Sequence, residues 1–212
     1  MRFTPTIPNF LTIFRVLLIP LIIYFLNTNS LLFIFIALAL FGISAITDAF
    51  DGILARKWNQ TSEFGAFFDP IADKLLVWSV FTILSLNISL FIPLWLIAFI
   101  YLRDFSITFL RHYSKKMNIA FKTSFAAKAK TTVQMIAAAV IISYMLVSQL
   151  LKTLFKIKAM EYDSIWFSLI RENSYLIVYI PLVLTIFTVI FTIYTAIDYF
   201  LIFNKNRVLK ND

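Results

Sequence analysis

The chain has 212 residues, of which 61% are hydrophobic, 17% aromatic and 14% charged. Soluble domains are about half apolar and about a quarter charged, so this balance excludes an ordinary soluble fold and points to one membrane-embedded unit, residues 1–212. The absence of cysteine excludes disulfides and thiolate metal sites, and a formal net charge of +8 in so apolar a chain marks a cytoplasmic face and anionic lipid rather than nucleic acid.

A helix that crosses the bilayer needs about 20 mostly apolar residues. The sequence predicts six such spans, at roughly 10–28, 31–56, 65–87, 91–112, 127–151 and 175–203, and so an all-α polytopic membrane protein. Residues 1–9 carry one Arg, and no small-residue cleavage site follows the first apolar run, which therefore reads as a retained helix and not a signal peptide. Pro5 and Pro8 argue against a long helix before that span. At its start Asn9, Thr12 and Arg15 follow at i, i+3 and i+6. They read as a polar seam snorkelling at the cytoplasmic end or as the lining of a polar cavity; polar residues inside a span usually face an interior.

The second span ends on Asp48-x-x-Asp51-Gly52-x-x-Ala55-Arg56, and the third begins on Gly65-x-x-x-Asp69-x-x-x-Asp73. Asp48 and Asp51 are i, i+3, and Asp69 and Asp73 are i, i+4, so each pair shares a helix face. The polar linker 57–64 is short enough that the two helices run antiparallel, and four carboxylates can converge on one volume. A carboxylate in a membrane is costly, and four together form a functional site by default. Divalent cations relieve their mutual repulsion, and all-oxygen ligands suit Mg²⁺, Mn²⁺ or Ca²⁺ over zinc. Gly52, Ala55 and Gly65 fit close helix packing or a smooth wall for a ligand. Arg56 offers a fork of donors to phosphate.

A second polar cluster follows. The fourth span carries Arg103-Asp104 and, eight residues on and on broadly the same side, Arg111. The fifth opens on Lys128-Ala-Lys130-Thr131-Thr132-Val-Gln134. Cations at a helix start oppose its dipole, a mismatch that a bound anion explains. Lys115 and Lys116 read as anchors at lipid headgroups. Arg103, Arg111, Lys128 and Lys130 read either as more such anchors or, the better fit, as a phosphate pocket, with Thr131 beside it. His112 and Glu63 read as surface residues, and Asp198 as a partner for a nearby Arg or Lys. The mixed-charge loop 152–173 is expected to lie along the outer surface as a short interfacial helix. Basic residues in linker 57–64, loop 112–126 and the tail, against uncharged turns near 27–30 and 87–89, put both termini and the carboxylates on the cytoplasmic side.

The motif from Asp48 to Asp73, with eight residues between Arg56 and Gly65, resembles the complete signature of the CDP-alcohol phosphatidyltransferases. The runs Pro8-Asn9-Phe-Leu-Thr12-Ile-Phe-Arg15-Val, Leu110-Arg111 and Lys128-Ala-Lys130-Thr131-Thr132-Val-Gln134-Met135 are similar to the branch of that family that makes phosphatidylglycerol phosphate. Two positions depart from that branch, Asp104 in place of Glu and Ala127 in place of Gly. Past about residue 136 the likeness rests on hydrophobicity and Asp198-Tyr199. The resemblance implies that the sn-1 hydroxyl of glycerol-3-phosphate displaces CMP from CDP-diacylglycerol. It implies two Mg²⁺ or Mn²⁺ ions on Asp48, Asp51, Asp69 and Asp73, with Asp73 as base, ligand or both. It places Gly52, Ala55, Arg56 and Gly65 in a CDP pocket and Arg103, Arg111, Lys128 and Lys130 on the acceptor phosphate. A homodimer in the bacterial cytoplasmic (inner) membrane is implied as well. Phosphatidylglycerol, inositol phosphate and serine stay open as other acceptors, although the cationic cluster counts against serine. Outside the family, a divalent-cation transporter would use the same carboxylates, but transporter sites lie near the midplane and these lie towards one end.

Overall fold

The computed structural model describes the backbone of residues 7–28, 30–57, 63–117, 125–159 and 179–211. Side chains are described over 9–47, 68–117, 129–154 and 179–207, apart from positions 29, 70, 112, 115 and 205. Among these residues the chain is helical throughout: α1 (Ile7–Asn27), α2 (Leu31–Lys57), α3 (Glu63–Leu86), α4 (Leu94–Lys116), α5 (Phe125–Ala159) and α6 (Ile180–Asn211), with a 3-10 turn at Ile88–Leu90. Among the residues whose side chains are described, three helices contain stretches long and apolar enough to cross a membrane, Asn9–Asn27, Ala129–Leu154 and Ile180–Asn204, and Leu31–Thr47 is a shorter apolar one. The chain is an integral membrane protein.

Local chemistry explains the helix ends. Pro8 falls in the first turn of α1, where a missing N–H costs nothing. Between α3 and α4 the Asn87 side chain accepts from the Ser89 N–H at 3.1 Å. Phe91 then takes a left-handed conformation with φ 51°, and its N–H returns to the Ile88 carbonyl. Pro93 follows, so α4 starts at Leu94 and not at the expected 91. A bulky residue in the left-handed region is strained by about 1–2 kcal/mol. Phe91→Gly is therefore expected to stabilise by about 1 kcal/mol, read as a higher thermal midpoint in detergent. A lower midpoint would mean that the ring contact with Tyr179, 6.3 Å between centroids, outweighs the strain.

Two expected boundaries need correction. α5 does not stop at 151 but runs 35 residues to Ala159, taking in the first part of the expected outer loop; residues 160–178 lie outside the described residues. α6 begins at Ile180 and continues past 203 to Asn211. Neither overrun contains Gly or Pro, and each added helical residue closes one more hydrogen bond, so nothing local stops the helix. At 1.5 Å per residue α5 is roughly 52 Å long, well beyond a hydrocarbon core of about 30 Å.

The helices close a ring that does not follow chain order. α1 packs on α2 and α3, α2 on α5, α5 on α6, α6 on α4, and α4 on α3, while α3 also meets α5 across the ring. The main core joins α1, α2, α3 and α5 through residues such as Ile22, Phe41, Leu76, Phe81 and Ile141. Leu96, Ile100 and Val189 form a smaller cluster between α4 and α6. Large apolar side chains, Phe10, Leu17, Phe109 and Ile190 among them, cover the outside. α6 is polar on its inner face: Thr185, Thr188, Thr192, Thr195 and Tyr199 are all buried at spacings of three and four, while Phe187, Tyr194 and Leu201 face outwards. An apolar outside suits lipid, and small polar side chains inside let membrane helices approach and hydrogen-bond.

Candidate active site

The site builds up where α1 and α3 meet. Asn9, Thr12 and Arg15 are all buried, with Arg15 at 0% exposure. Thr12 Oγ1 donates to Asp69 Oδ1, and Arg15 Nη1 donates to Asp73 Oδ1 at 2.5 Å. Two members of the i, i+3, i+6 pattern of α1 thus meet the i, i+4 pair of α3, Thr12 opposite Asp69 and Arg15 opposite Asp73. A fully buried guanidinium is costly without a carboxylate partner, and Asp73 supplies one while keeping a quarter of its side chain exposed.

Asp73 also lines a cavity of about 250 Å³ with Lys74, Arg103, Asp104, Thr108, Arg111, Lys130, Thr131 and Gln134. α3, α4 and α5 meet here, each contributing the end that carries its charged motif. The four cations of this lining outnumber Asp73 and Asp104 by two. Asp104, 3% exposed, is the hub. Its Oδ1 accepts from Lys130 Nζ and from Arg103 Nη1 at 3.2 Å, and its Oδ2 accepts from Trp78 Nε1 at 3.3 Å. Lys74 Nζ donates to Thr108 Oγ1 at 2.6 Å. Arg103 Nη2 and Arg111 Nη2 each reach a hydroxyl at 2.7 Å, that of Thr195 and that of Tyr199. A larger cavity of about 470 Å³ opens near the α3–α4 turn, but Ile88, Phe91, Trp95, Leu182 and the rest of its lining include no titratable side chain.

The structure therefore brings Thr12, Arg15, Asp69 and Asp73 together, and joins Asp73 through one cavity to Arg103, Arg111, Lys130 and Thr131. The side chains of Asp48, Asp51, Gly52, Ala55, Arg56, Gly65 and Lys128 lie outside the described residues, as do those of Glu63 and His112. Helical spacing puts positions 48, 51 and 55 on the face of α2 that carries Ile34, Ala37, Phe41 and Ser44, which are buried. Among the described residues Asp198 pairs with no Arg or Lys, contrary to expectation. Lys130 differs from expectation in another way: a carboxylate already holds it. Sequence reasoning missed Lys74, Gln134, Trp78 and Thr108 as neighbours of this cavity, and the inward stripe of α6. For α6 a signal was present, because Thr185, Thr188, Thr192 and Thr195 repeat at helical spacing.

Comparison with known proteins agrees with the motifs. The model of the CDP-alcohol phosphatidyltransferase family matches residues 5–193. A CDP-diacylglycerol–glycerol-3-phosphate 3-phosphatidyltransferase of Rickettsia prowazekii is 40% identical over 145 residues, covering 67% of this chain and 77% of that one. A protein of the same description from Escherichia coli K12 is 38% identical over 137 residues, covering 63% of this chain and 74% of its own.

Proposed function

Because the chain belongs to the CDP-alcohol phosphatidyltransferase family, we propose that it is a phosphatidylglycerophosphate synthase, moving the phosphatidyl group of CDP-diacylglycerol to the sn-1 hydroxyl of glycerol-3-phosphate. The observation that carries this reading is the cavity in which Asp73 stands beside a surplus of cations. It offers one small molecule a base and an anion seat. An acceptor with a hydroxyl and a phosphate uses both, whereas serine would bring only a singly charged carboxylate to the seat. The descriptions of the Rickettsia and Escherichia relatives support the same acceptor.

In the proposed step the hydroxyl oxygen attacks the phosphorus that bears the diacylglycerol. The bond from that phosphorus to the bridging oxygen of CMP breaks, and CMP leaves with the electron pair. Asp73 takes the hydroxyl proton, held in place by Arg15 from α1. Arg103, Arg111 and Lys130 bind the acceptor phosphate, with Lys128 on sequence grounds and Lys74 from its place in the cavity. Gly52, Ala55, Arg56 and Gly65 form the CDP pocket, as the family resemblance implies. Asp69 and Asp73 present oxygens from one face of α3, neither of them fully buried. With Asp48 and Asp51 they make an all-oxygen donor set, which fits hard cations such as Mg²⁺ or Mn²⁺, two per site. When bound, such ions supply charge neutralisation for the diphosphate and for departing CMP.

In this reading all six helices cross a bacterial inner membrane as one domain, the cavity lies at the cytoplasmic end, and the protein works as a homodimer. A lipid substrate then enters sideways from the leaflet and a soluble one from the cytoplasm. Purified protein in detergent with CDP-diacylglycerol is expected to release CMP when both Mg²⁺ and glycerol-3-phosphate are present, and to stop on addition of EDTA. Release that needs phosphatidylglycerol or inositol phosphate instead would move the reading to another acceptor. No release with any acceptor would refute it.

A further inference from the structure

Both arginines of the cavity are held from the last helix by hydroxyls, in the case of Arg103 beside its ion pair with Asp104. Arg103 Nη2 donates to Thr195 Oγ1 and Arg111 Nη2 to the Tyr199 hydroxyl, both at 2.7 Å. Gln134, in the same lining, donates from Nε2 to Thr192 Oγ1 at 3.3 Å. Thr192, Thr195 and Tyr199 are each at most 1% exposed. They stand at i, i+3 and i+7, so one face of α6 addresses three cavity side chains from α4 and α5.

The choice of partner has a chemical consequence. A carboxylate fixes a cation but offsets its charge, and Asp104 is shared by Lys130 and Arg103, one negative charge against two. A hydroxyl oxygen fixes it and leaves the charge for a ligand. Thr195 Oγ1 donates its own proton to the Thr192 carbonyl at 2.8 Å, so it meets Arg103 as an acceptor. The Tyr199 ring lies 5.8 Å from Arg111 Cζ, within cation–π range. Arg103 Nε is buried with no hydrogen-bond partner among the described residues, which leaves a donor of an already ordered guanidinium available. Ordering flexible side chains before a ligand arrives removes part of the entropic cost of binding.

We infer that α6 is the template of the anion seat: Thr195 and Tyr199 are positioning residues that hold Arg103 and Arg111 charged and preordered for the acceptor phosphate. This rests on the reading of the cavity as the acceptor site. The same helix contains its own controls. Thr185 and Thr188 are equally buried, but their hydroxyls bond to carbonyls of α6 itself, those of Pro181 and Leu184, and do not reach α4.

The test compares full-length wild type with Tyr199→Phe, Thr195→Val, Thr195→Ser and Thr188→Val, measuring glycerol-3-phosphate binding at equilibrium and CMP release side by side. Tyr199→Phe and Thr195→Val are expected to weaken glycerol-3-phosphate binding and raise its KM by roughly ten- to hundredfold each, as for a lost hydrogen bond to a charged group. The KM for CDP-diacylglycerol should stay within about twofold, because a purely positional loss at one subsite leaves the other alone. Thr195→Ser keeps the acceptor oxygen and should rescue, and Thr188→Val should match wild type. Unchanged binding in Tyr199→Phe and Thr195→Val would overturn the inference. So would an equal loss in Thr188→Val, or a parallel rise in both KM values, since either would mean that α6 acts only by packing. If wild type binds glycerol-3-phosphate but releases no CMP, the transferase reading falls while the variants still decide the inference. If wild type neither binds nor reacts, both fall.

Discussion

Asp73→Asn is expected to cut CMP release by roughly 10²- to 10⁴-fold, the range for loss of a positioned general base. Asn keeps a carbonyl oxygen for the Arg15 guanidinium, which now sits 2.5 Å from Asp73 Oδ1, so the geometry persists while the charge and the basicity are lost. Arg15 is fully buried, and its ion pair with Asp73 would then be lost, so a lower thermal midpoint should accompany the loss of activity. Asp69→Asn separates the two effects. Its described partner is the neutral Thr12 hydroxyl, so this variant should also abolish turnover but melt close to wild type. Full turnover in both variants would mean that the chemistry lies elsewhere.

The largest stability effect is expected at Asp104. Asp104→Ala leaves Lys130, 5% exposed, and Arg103 without their carboxylate, and breaking a buried pair from one side costs about 3–5 kcal/mol. It also deprives the Trp78 indole of its acceptor. The variant should give poor yield and a sharply lower melting temperature in detergent. Asp104→Glu, the residue the related branch carries there, should fold. The double variant Asp104→Asn/Lys130→Met should recover part of the stability, because Lys130 is then not stranded and Arg103 keeps the Thr195 hydroxyl, but should bind glycerol-3-phosphate weakly. If Asp104→Ala melted like wild type, the ion pair would not be what holds α4 to α5 at the cavity.

Much of this was legible because rare residues were involved. Carboxylates at 48, 51, 69 and 73 stand out in a chain with eleven acidic residues, and the polar spacing of Asn9, Thr12 and Arg15 marked the face of α1 that meets α3. The apolar runs located the six helices of the described residues. Their ends were less legible where no Gly or Pro interrupts, as at 152–159 and 204–211, since hydropathy falls there before the helix does. Pairings between distant segments left no local trace. Asp104 and Lys130 lie 26 positions apart and Arg103 and Thr195 92 apart, so a sequence pass can name the cations but cannot tell which one a carboxylate already holds. Lys74 was overshadowed by its neighbour Asp73. The threonines of α6 were passed over because a threonine is at home in an apolar helix, and only their repeat distinguishes them from filler.

The most direct test of the central claim follows the acceptor atoms themselves. Purified protein would be given CDP-diacylglycerol, Mg²⁺ and glycerol-3-phosphate labelled in its glycerol carbons, and label in the organic phase would be measured against CMP in the aqueous phase. The account predicts equal molar amounts of labelled lipid and CMP, both lost in Asp69→Asn. CMP formed without labelled lipid would mean that water or another alcohol is the acceptor, and would contradict the assignment of Arg103, Arg111 and Lys130 to the phosphate of glycerol-3-phosphate.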